Sequence, residues 1–350
     1  MARLAIQMNR PFGQHPPRRL LAVALGLPTT ADARRAMRSL AGRADVVELR
    51  LDLMAEYDLP ELLRDRPLAV VVTNRPLREG GRFSGSEAER GRCLLEAVDL
   101  GAEFVDVEWD APDLLTALAR RRQADTLLFA SSHDLVAMPA DLKERRRRLA
   151  ESGADVVKVV GTARSLLDNL PIFRALEEAQ TPTIAIAMGA PGLISRVLAL
   201  RHDSCLLTFA APDDAGGTAP GQIPLTSLLA TYRARDIGPA TVPYGVLSLS
   251  PVDDATIARL NALASGEGRD AVWVPLVART LDEVSDAARG LRPAGFAGYL
   301  AAPSALEAFG VDGRRLRGDE YLGVRALGGE LEVVLTGDVE EAARLQLGPR

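Results

Sequence analysis

Eight short apolar runs recur along the first two-thirds of the chain, at residues 20–27, 45–53, 68–75, 102–109, 125–134, 154–161, 181–189 and 204–211. Between them lie stretches with apolar residues at three- and four-residue spacing, such as 30–42 and 138–153. Several of these end in Gly just before the next run, as a helix C-cap does. Near-continuous apolar strands alternating with helices predict a parallel sheet covered on both faces. Eight such units before residue 235 predict an α/β fold of the (β/α)8 TIM-barrel type. The alternative, an open doubly wound sheet, usually has fewer strands, and no G-x-G-x-x-G opens the first crossover.

After Gln222 the pattern weakens. A helical stretch over 225–235 leads into the Pro/Gly-bearing junction 237–245. This gives three parts: an N-terminal segment (1–19), the barrel (20–238) and a small α/β domain (239–350). Strands of the last part are expected near 244–248, 271–276, 295–300 and 331–335.

The net charge of -5 gives no reason to expect a nucleic-acid partner. The one basic cluster, Lys143 to Arg148, reads as the solvated face of a helix. Cys93 and Cys205 are far apart, lie in apolar stretches and form no CxxC, so buried free thiols in a reducing cytoplasm are expected. No apolar run approaches the roughly 18 residues of a membrane span. The run at 20–27 follows Arg18 and Arg19, but it starts too late and lacks the cleavage site of a secretory leader.

Of 42 basic residues, only Lys143 and Lys158 are lysines. A surviving lysine invites a chemical reading, because arginine stays protonated and cannot act as an amine nucleophile. Lys143 falls in the charged run. Lys158 falls inside an apolar strand among Val156, Val157, Val159 and Val160, where burial favours the free amine. A buried ion pair is the structural alternative. In a barrel the chemistry lies at the C-terminal strand ends. Those ends carry Glu48 and Arg50, Arg75 followed by Glu79, His133, Arg196 after the seventh strand, and a Gly/Pro loop from Ala210 to Gln222. His133 lies one barrel unit before Lys158, where a general acid/base can serve an imine-forming amine, although a lone strand-end His is as often a satisfied polar group. His15, in a Pro-rich segment, and His202, after a helix, read as surface residues. Arg50, Arg75 and Arg196 on one rim favour a carboxylate substrate, although each alone could be a structural salt bridge. The 210–222 loop has the length of a lid, or of a plain exposed loop.

The ordered pieces ELRLD (48–52), TNRPLREGG (73–81), DVE (106–108), SSHD (131–134), DVVK (155–158), MGAPGLISR (188–196), TFA (208–210) and TAPGQ (218–222) resemble type I 3-dehydroquinate dehydratase. The resemblance covers residues 20 to 235 and implies a (β/α)8 barrel. It also implies a hydro-lyase of the shikimate pathway of aromatic amino acid biosynthesis, converting 3-dehydroquinate to 3-dehydroshikimate. Lys158 matches the imine-forming lysine, His133 the general acid/base and Glu79 the carboxylate that orients it. Arg196 matches the arginine that binds the substrate carboxylate. Glu48, Arg50 and Arg75 match the hydroxyl and lysine side of the pocket, Gln222 the lid glutamine, and Thr218 replaces the usual lid serine. The implied chemistry uses no metal and no cofactor, because the protonated imine is the electron sink. A small-molecule substrate is implied, with no nucleic acid and no membrane, in a cytoplasmic protein; a homodimer is left open. The alternatives are another Schiff-base aldolase and a non-catalytic ligand-binding or scaffolding barrel.

The region from 239 resembles the substrate-binding half of shikimate dehydrogenase, on YGVLSLSP (244–251) and VWVPLVARTLDEV (272–284). No lysine follows Lys158, so that family's catalytic lysine has no counterpart. Its nicotinamide domain has no counterpart in the remaining length either. A degenerate, non-reducing module is implied, and the barrel is expected to keep its activity without it.

Overall fold

The computed structural model describes residues 19–214, 216–311, 321–327, 330–335 and 338–348. The N-terminal segment to residue 18, with His15, lies outside the described residues.

All eight apolar runs form strands: β1 (Leu20–Leu25), β2 (Val46–Arg50), β3 (Ala69–Thr73), β4 (Phe104–Glu108), β5 (Leu127–His133), β6 (Val156–Thr162), β7 (Thr183–Met188) and β8 (Leu207–Ala211). They lie side by side in sequence order around one sheet, with β1 between β2 and β8. The ring closes where Thr183 bridges Cys205, with Thr183 N donating to Ser204 O at 2.8 Å and Leu206 N to Thr183 O at 3.1 Å. This is the (β/α)8 barrel expected from the pattern. A two-residue strand, β9 (Ile223–Pro224), runs beside the end of β8.

The local reasons are ordinary. The strands are rich in valine and leucine, whose side chains suit a doubly covered sheet. Helix 30–40 is capped by Thr29, whose hydroxyl accepts from Asp32 N at 3.2 Å. Helix 87–99 opens with a reciprocal Ser86–Glu89 capping box. Helix 142–151 carries the basic run, and Arg147 and Arg148 pair with Glu144 along its own face. Cys93 and Cys205 are both free and buried.

By compactness the chain divides into two units that interleave in sequence. The first runs to Thr162 and includes Ala175–Ile186 and Asp203–Leu225; the second takes Ala163–Arg174, Ala187–His202 and the residues from Thr226. In the second unit a five-stranded sheet has the order β11 (Ala271–Val277), β10 (Val242–Ser248), β12 (Gly298–Ala301), β13 (Leu322–Leu327), β14 (Glu330–Leu335). Here β10, β11 and β12 are parallel. β13 and β14 add an antiparallel hairpin. Within this unit Leu166 N donates to Glu283 Oε1 at 3.0 Å, and Arg201 Nε donates to Thr241 O at 2.6 Å.

Three local readings differ from the structure. β13 was not among the expected strands, because its LGVRAL sequence interrupts the apolar pattern with Gly and Arg. The helix expected over 225–235 shrinks to a π-helical turn, Ser227–Thr231, with Arg233 at a left-handed φ of 50° soon after it. His202 is half-buried and stacks on Phe173, with ring centroids 6.1 Å apart, rather than lying open on the surface. Among the described residues no helix is long and apolar enough to cross a membrane.

Candidate active site

Parallel register sets the site. Lys158 on β6 lies beside Ser131 on β5, and Ser131 lies beside Glu108 on β4. Strand alternation points all three to the same side of the sheet. Lys158 is 4% exposed. Its Nζ donates to Asp106 Oδ2 at 2.7 Å and to Glu48 Oε1 at 3.1 Å, and stands 4.8 Å from the centroid of the Phe209 ring. The ion pair considered from sequence therefore exists, and it puts two hydrogen-bond-accepting carboxylates on the amine. Thr73 Oγ1 donates to the same Glu48 oxygen at 2.9 Å, which fixes that carboxylate.

Asp106 is the anionic centre. Burial opposes its charge, but Arg75 and Lys158 outweigh burial and hold its carboxyl far below the usual range. Arg75 Nη2 donates to Asp106 Oδ2 at 2.7 Å, and its Nη1 donates to Glu108 Oε1 at 2.6 Å and to Ser131 Oγ at 2.8 Å. Ser131 Oγ donates in turn to Asp106 Oδ1 at 2.6 Å. Burial, aided by Asp106, raises Glu108, while Arg75 and Arg90 oppose the rise.

His133 ends β5, partly buried, and its Nδ1 lies 2.8 Å from Glu79 Oε2. Burial, then the charges of Arg75 and Lys158, hold the imidazole well below its ordinary value, so the ring is neutral near pH 7. Burial lifts Glu79 to about 8; Arg75 opposes the rise, and Glu108 and Asp106 add to it. The turn that carries Glu79 depends on its glycines. Gly80 has φ of 79°, and a Cβ on Gly81 would stand 1.9 Å from Arg75 O.

Arg50 grips Asp52 through two hydrogen bonds, of 2.8 Å from Nε and 2.7 Å from Nη2. Asp52 also accepts from the backbone N–H groups of Arg75 and Arg82. Two of the three arginines read from sequence as substrate-facing are thus each held by carboxylates of the protein. Arg196 sits in the short helix Leu193–Leu198 of the second unit, where burial pushes its pKa down to about 10. In the 210–222 loop, Gln222 Oε1 accepts from Thr218 N at 2.7 Å. Among the described residues no group of three or more His, Cys, Asp or Glu is arranged to hold a metal ion.

The model of the type I 3-dehydroquinase family matches residues 21–239 of the chain. The chain belongs to the type I 3-dehydroquinase family.

Its relatives agree with that membership. It is 34% identical to the 3-dehydroquinate dehydratase of Desulfotalea psychrophila over 220 residues, 60% of this chain and 95% of that protein. It is 36% identical over 211 residues to the chloroplastic bifunctional 3-dehydroquinate dehydratase/shikimate dehydrogenase of Arabidopsis thaliana; the match takes in 58% of this chain and only 35% of that longer protein. The solved 3-dehydroquinate dehydratase of Geobacillus kaustophilus superposes with a TM-score of 0.53 at 26% identity, covering 63% of this chain and 93% of that one. The dehydroquinate dehydratase and shikimate dehydrogenase structure from S. pombe, at 23% identity and a TM-score of 0.53, covers 90% of this chain and 64% of that one. That likeness is one of fold, and its coverage takes in part of the chain beyond the barrel.

Asp106 and Glu108, which meet Lys158 and Arg75 here, are not among the site residues expected from the sequence. Their signal is the DVE of β4, two acids spaced two apart in an otherwise apolar strand and both fully buried.

Proposed function

We propose that this protein dehydrates 3-dehydroquinate to 3-dehydroshikimate through a Schiff base on Lys158. The observation that carries the reading is a buried lysine amine with two carboxylate acceptors, Glu48 and Asp106, in the same unit as a neutral His133 held by Glu79.

The amine attacks as the free base, so it first gives up its proton, with Glu48 in hydrogen-bond contact as the acceptor. The nitrogen–carbon bond forms at the ring ketone, the oxygen leaves as water, and a protonated imine remains. The imine withdraws electrons from the neighbouring carbon, and His133 removes a proton there to give an enamine. The enamine expels the β-hydroxyl, which leaves as water with the proton that His133 returns. Addition of water to the conjugated imine releases the enone product and restores the amine. In this reading Arg196 binds the substrate carboxylate, and Arg50, Arg75 and Glu48 shape the hydroxyl side. Thr218 and Gln222 close the loop over the ring.

The shikimate pathway and a cytoplasmic location belong to the same reading, and the two free buried thiols support the latter. Residues 239–350 are read as a module related in fold to the substrate-binding half of shikimate dehydrogenase and without reductase activity. The test is to mix the protein with 3-dehydroquinate and follow the ultraviolet absorbance of the conjugated enone. Catalytic growth of that band supports the reading. A folded protein that leaves the substrate unchanged favours a non-catalytic ligand-binding barrel.

A further inference from the structure

Arg90 has no place in the chemistry above, yet its side chain has no exposed surface. A wholly buried guanidinium is costly unless its partners compensate it. Arg90 projects from helix 87–99, with its Nε 2.8 Å from both carboxylate oxygens of Glu87 and its Nη1 in an ion pair with Glu108 Oε2. The other oxygen of Glu108 accepts from Arg75, Arg75 donates to Asp106, and Asp106 accepts from Lys158. Charges therefore alternate in sign from Glu87, which is 49% exposed, to the buried amine. With Glu48 included, the buried part sets the cations Arg90, Arg75 and Lys158 against the carboxylates Glu108, Asp106 and Glu48. Glu79, 4.0 Å from Arg75 Nη1, and its partner His133 are the next titratable groups.

A guanidinium is planar, with fixed donor directions. Glu108 on Nη1 and Asp106 on Nη2 therefore set the plane of Arg75, and Ser131 bridges Arg75 and Asp106. We infer that Arg90 is a positioning residue: through Glu108 it fixes the Arg75 guanidinium, and through Arg75 it holds Asp106 against the Lys158 amine. This rests on the Schiff-base reading and adds a residue that touches neither the amine nor the histidine.

Removing Arg90 alone leaves a surplus buried negative charge on Glu108, which then takes up a proton or pulls Arg75 toward itself. Either change loosens Asp106. Replacing Glu108 by Gln as well restores the balance and keeps an oxygen acceptor for Arg75. The test compares Arg90→Met, Arg90→Lys, Glu108→Gln and the Arg90→Met/Glu108→Gln double variant in the full chain. The readouts are kcat, KM and the rate at which a borohydride-trapped adduct of 3-dehydroquinate appears on Lys158, with near-ultraviolet circular dichroism as the control for folding.

Arg90→Met is expected to slow adduct formation and kcat by about tenfold, within the range for directly coupled neighbours, while KM moves far less. Arg90→Lys keeps the charge and most of the rate, and the double variant recovers most of the loss. A folded Arg90→Met that forms the adduct at the wild-type rate overturns the inference. So does a double variant whose loss is the product of the two single losses. If Arg90→Met alone does not fold, the double variant decides: as fast as Glu108→Gln or faster supports the inference, and slower overturns it. Wild-type protein that forms no adduct sinks the Schiff-base reading itself, whereas an active wild type with indifferent variants sinks only the role of Arg90.

Discussion

The imidazole of His133 and the carboxyl of Glu79 meet at 2.8 Å, and burial moves them in opposite directions, the histidine well below its usual value and Glu79 up to about 8. Near neutrality the imidazole is therefore neutral, and it is Glu79 that gains or loses a proton. When Glu79 is ionised it accepts from Nδ1–H, and Nε2 keeps the lone pair that a base needs. When Glu79 is protonated it donates to Nδ1, the ring proton sits on Nε2, and the base is lost. The rate constant kcat/KM is thus expected to rise with pH through an inflection near 8. Glu79→Gln should remove that inflection and leave the histidine's own, at lower pH. A profile with the same inflection in both proteins contradicts the assignment.

His133→Ala should lower kcat by about 10²–10⁴-fold, the ordinary contribution of one acid/base group. Imine formation needs only the amine and its carboxylates, so the variant should still yield a borohydride-trapped adduct. Loss of trapping in a folded variant would place His133 in the first step instead.

Lys158 also holds two buried carboxylates apart. Lys158→Arg keeps the charge and should leave the fold intact with no turnover. Lys158→Met takes the ammonium from Glu48 and leaves Asp106 with Arg75 alone, and should cost about 3–5 kcal/mol of stability, as removal of one partner of a buried pair does. Chemical denaturation of the two variants checks the order; equal stability would mean that the pair contributes nothing.

In the second unit, Glu283 Oε1 accepts from Leu166 N and Glu283 Oε2 from Arg279 N at 2.9 Å. Glu283→Ala leaves these donors without that acceptor and should destabilise the protein by about 1–3 kcal/mol. An unchanged denaturation midpoint would show that water replaces the carboxylate at no cost.

Much of this was legible in the sequence, and for identifiable reasons. The eight strands were, because doubly covered parallel strands are apolar throughout and need no knowledge of their neighbours. Lys158 stands out because all but two of the 42 basic residues are arginine. The partners of these groups were not legible. Asp106 meets Lys158, Arg75 and Ser131 only because barrel closure brings β3, β4, β5 and β6 to one interior, and nothing local to β4 encodes that meeting. The same closure makes Arg75 a partner of Asp106 and Glu108, whereas Arg50 pairs with Asp52 only two residues along the chain. β13 was missed because a hairpin strand of mixed polarity lacks the run of apolar residues that marked the others.

The most direct test of the central claim is the intact mass of the protein after mixing with 3-dehydroquinate and borohydride, followed by peptide mapping. One reduced adduct is expected, carried by the peptide that contains Lys158 and absent from Lys158→Arg. A folded, active protein that gains no mass, or that carries the adduct at Lys143, would contradict that claim.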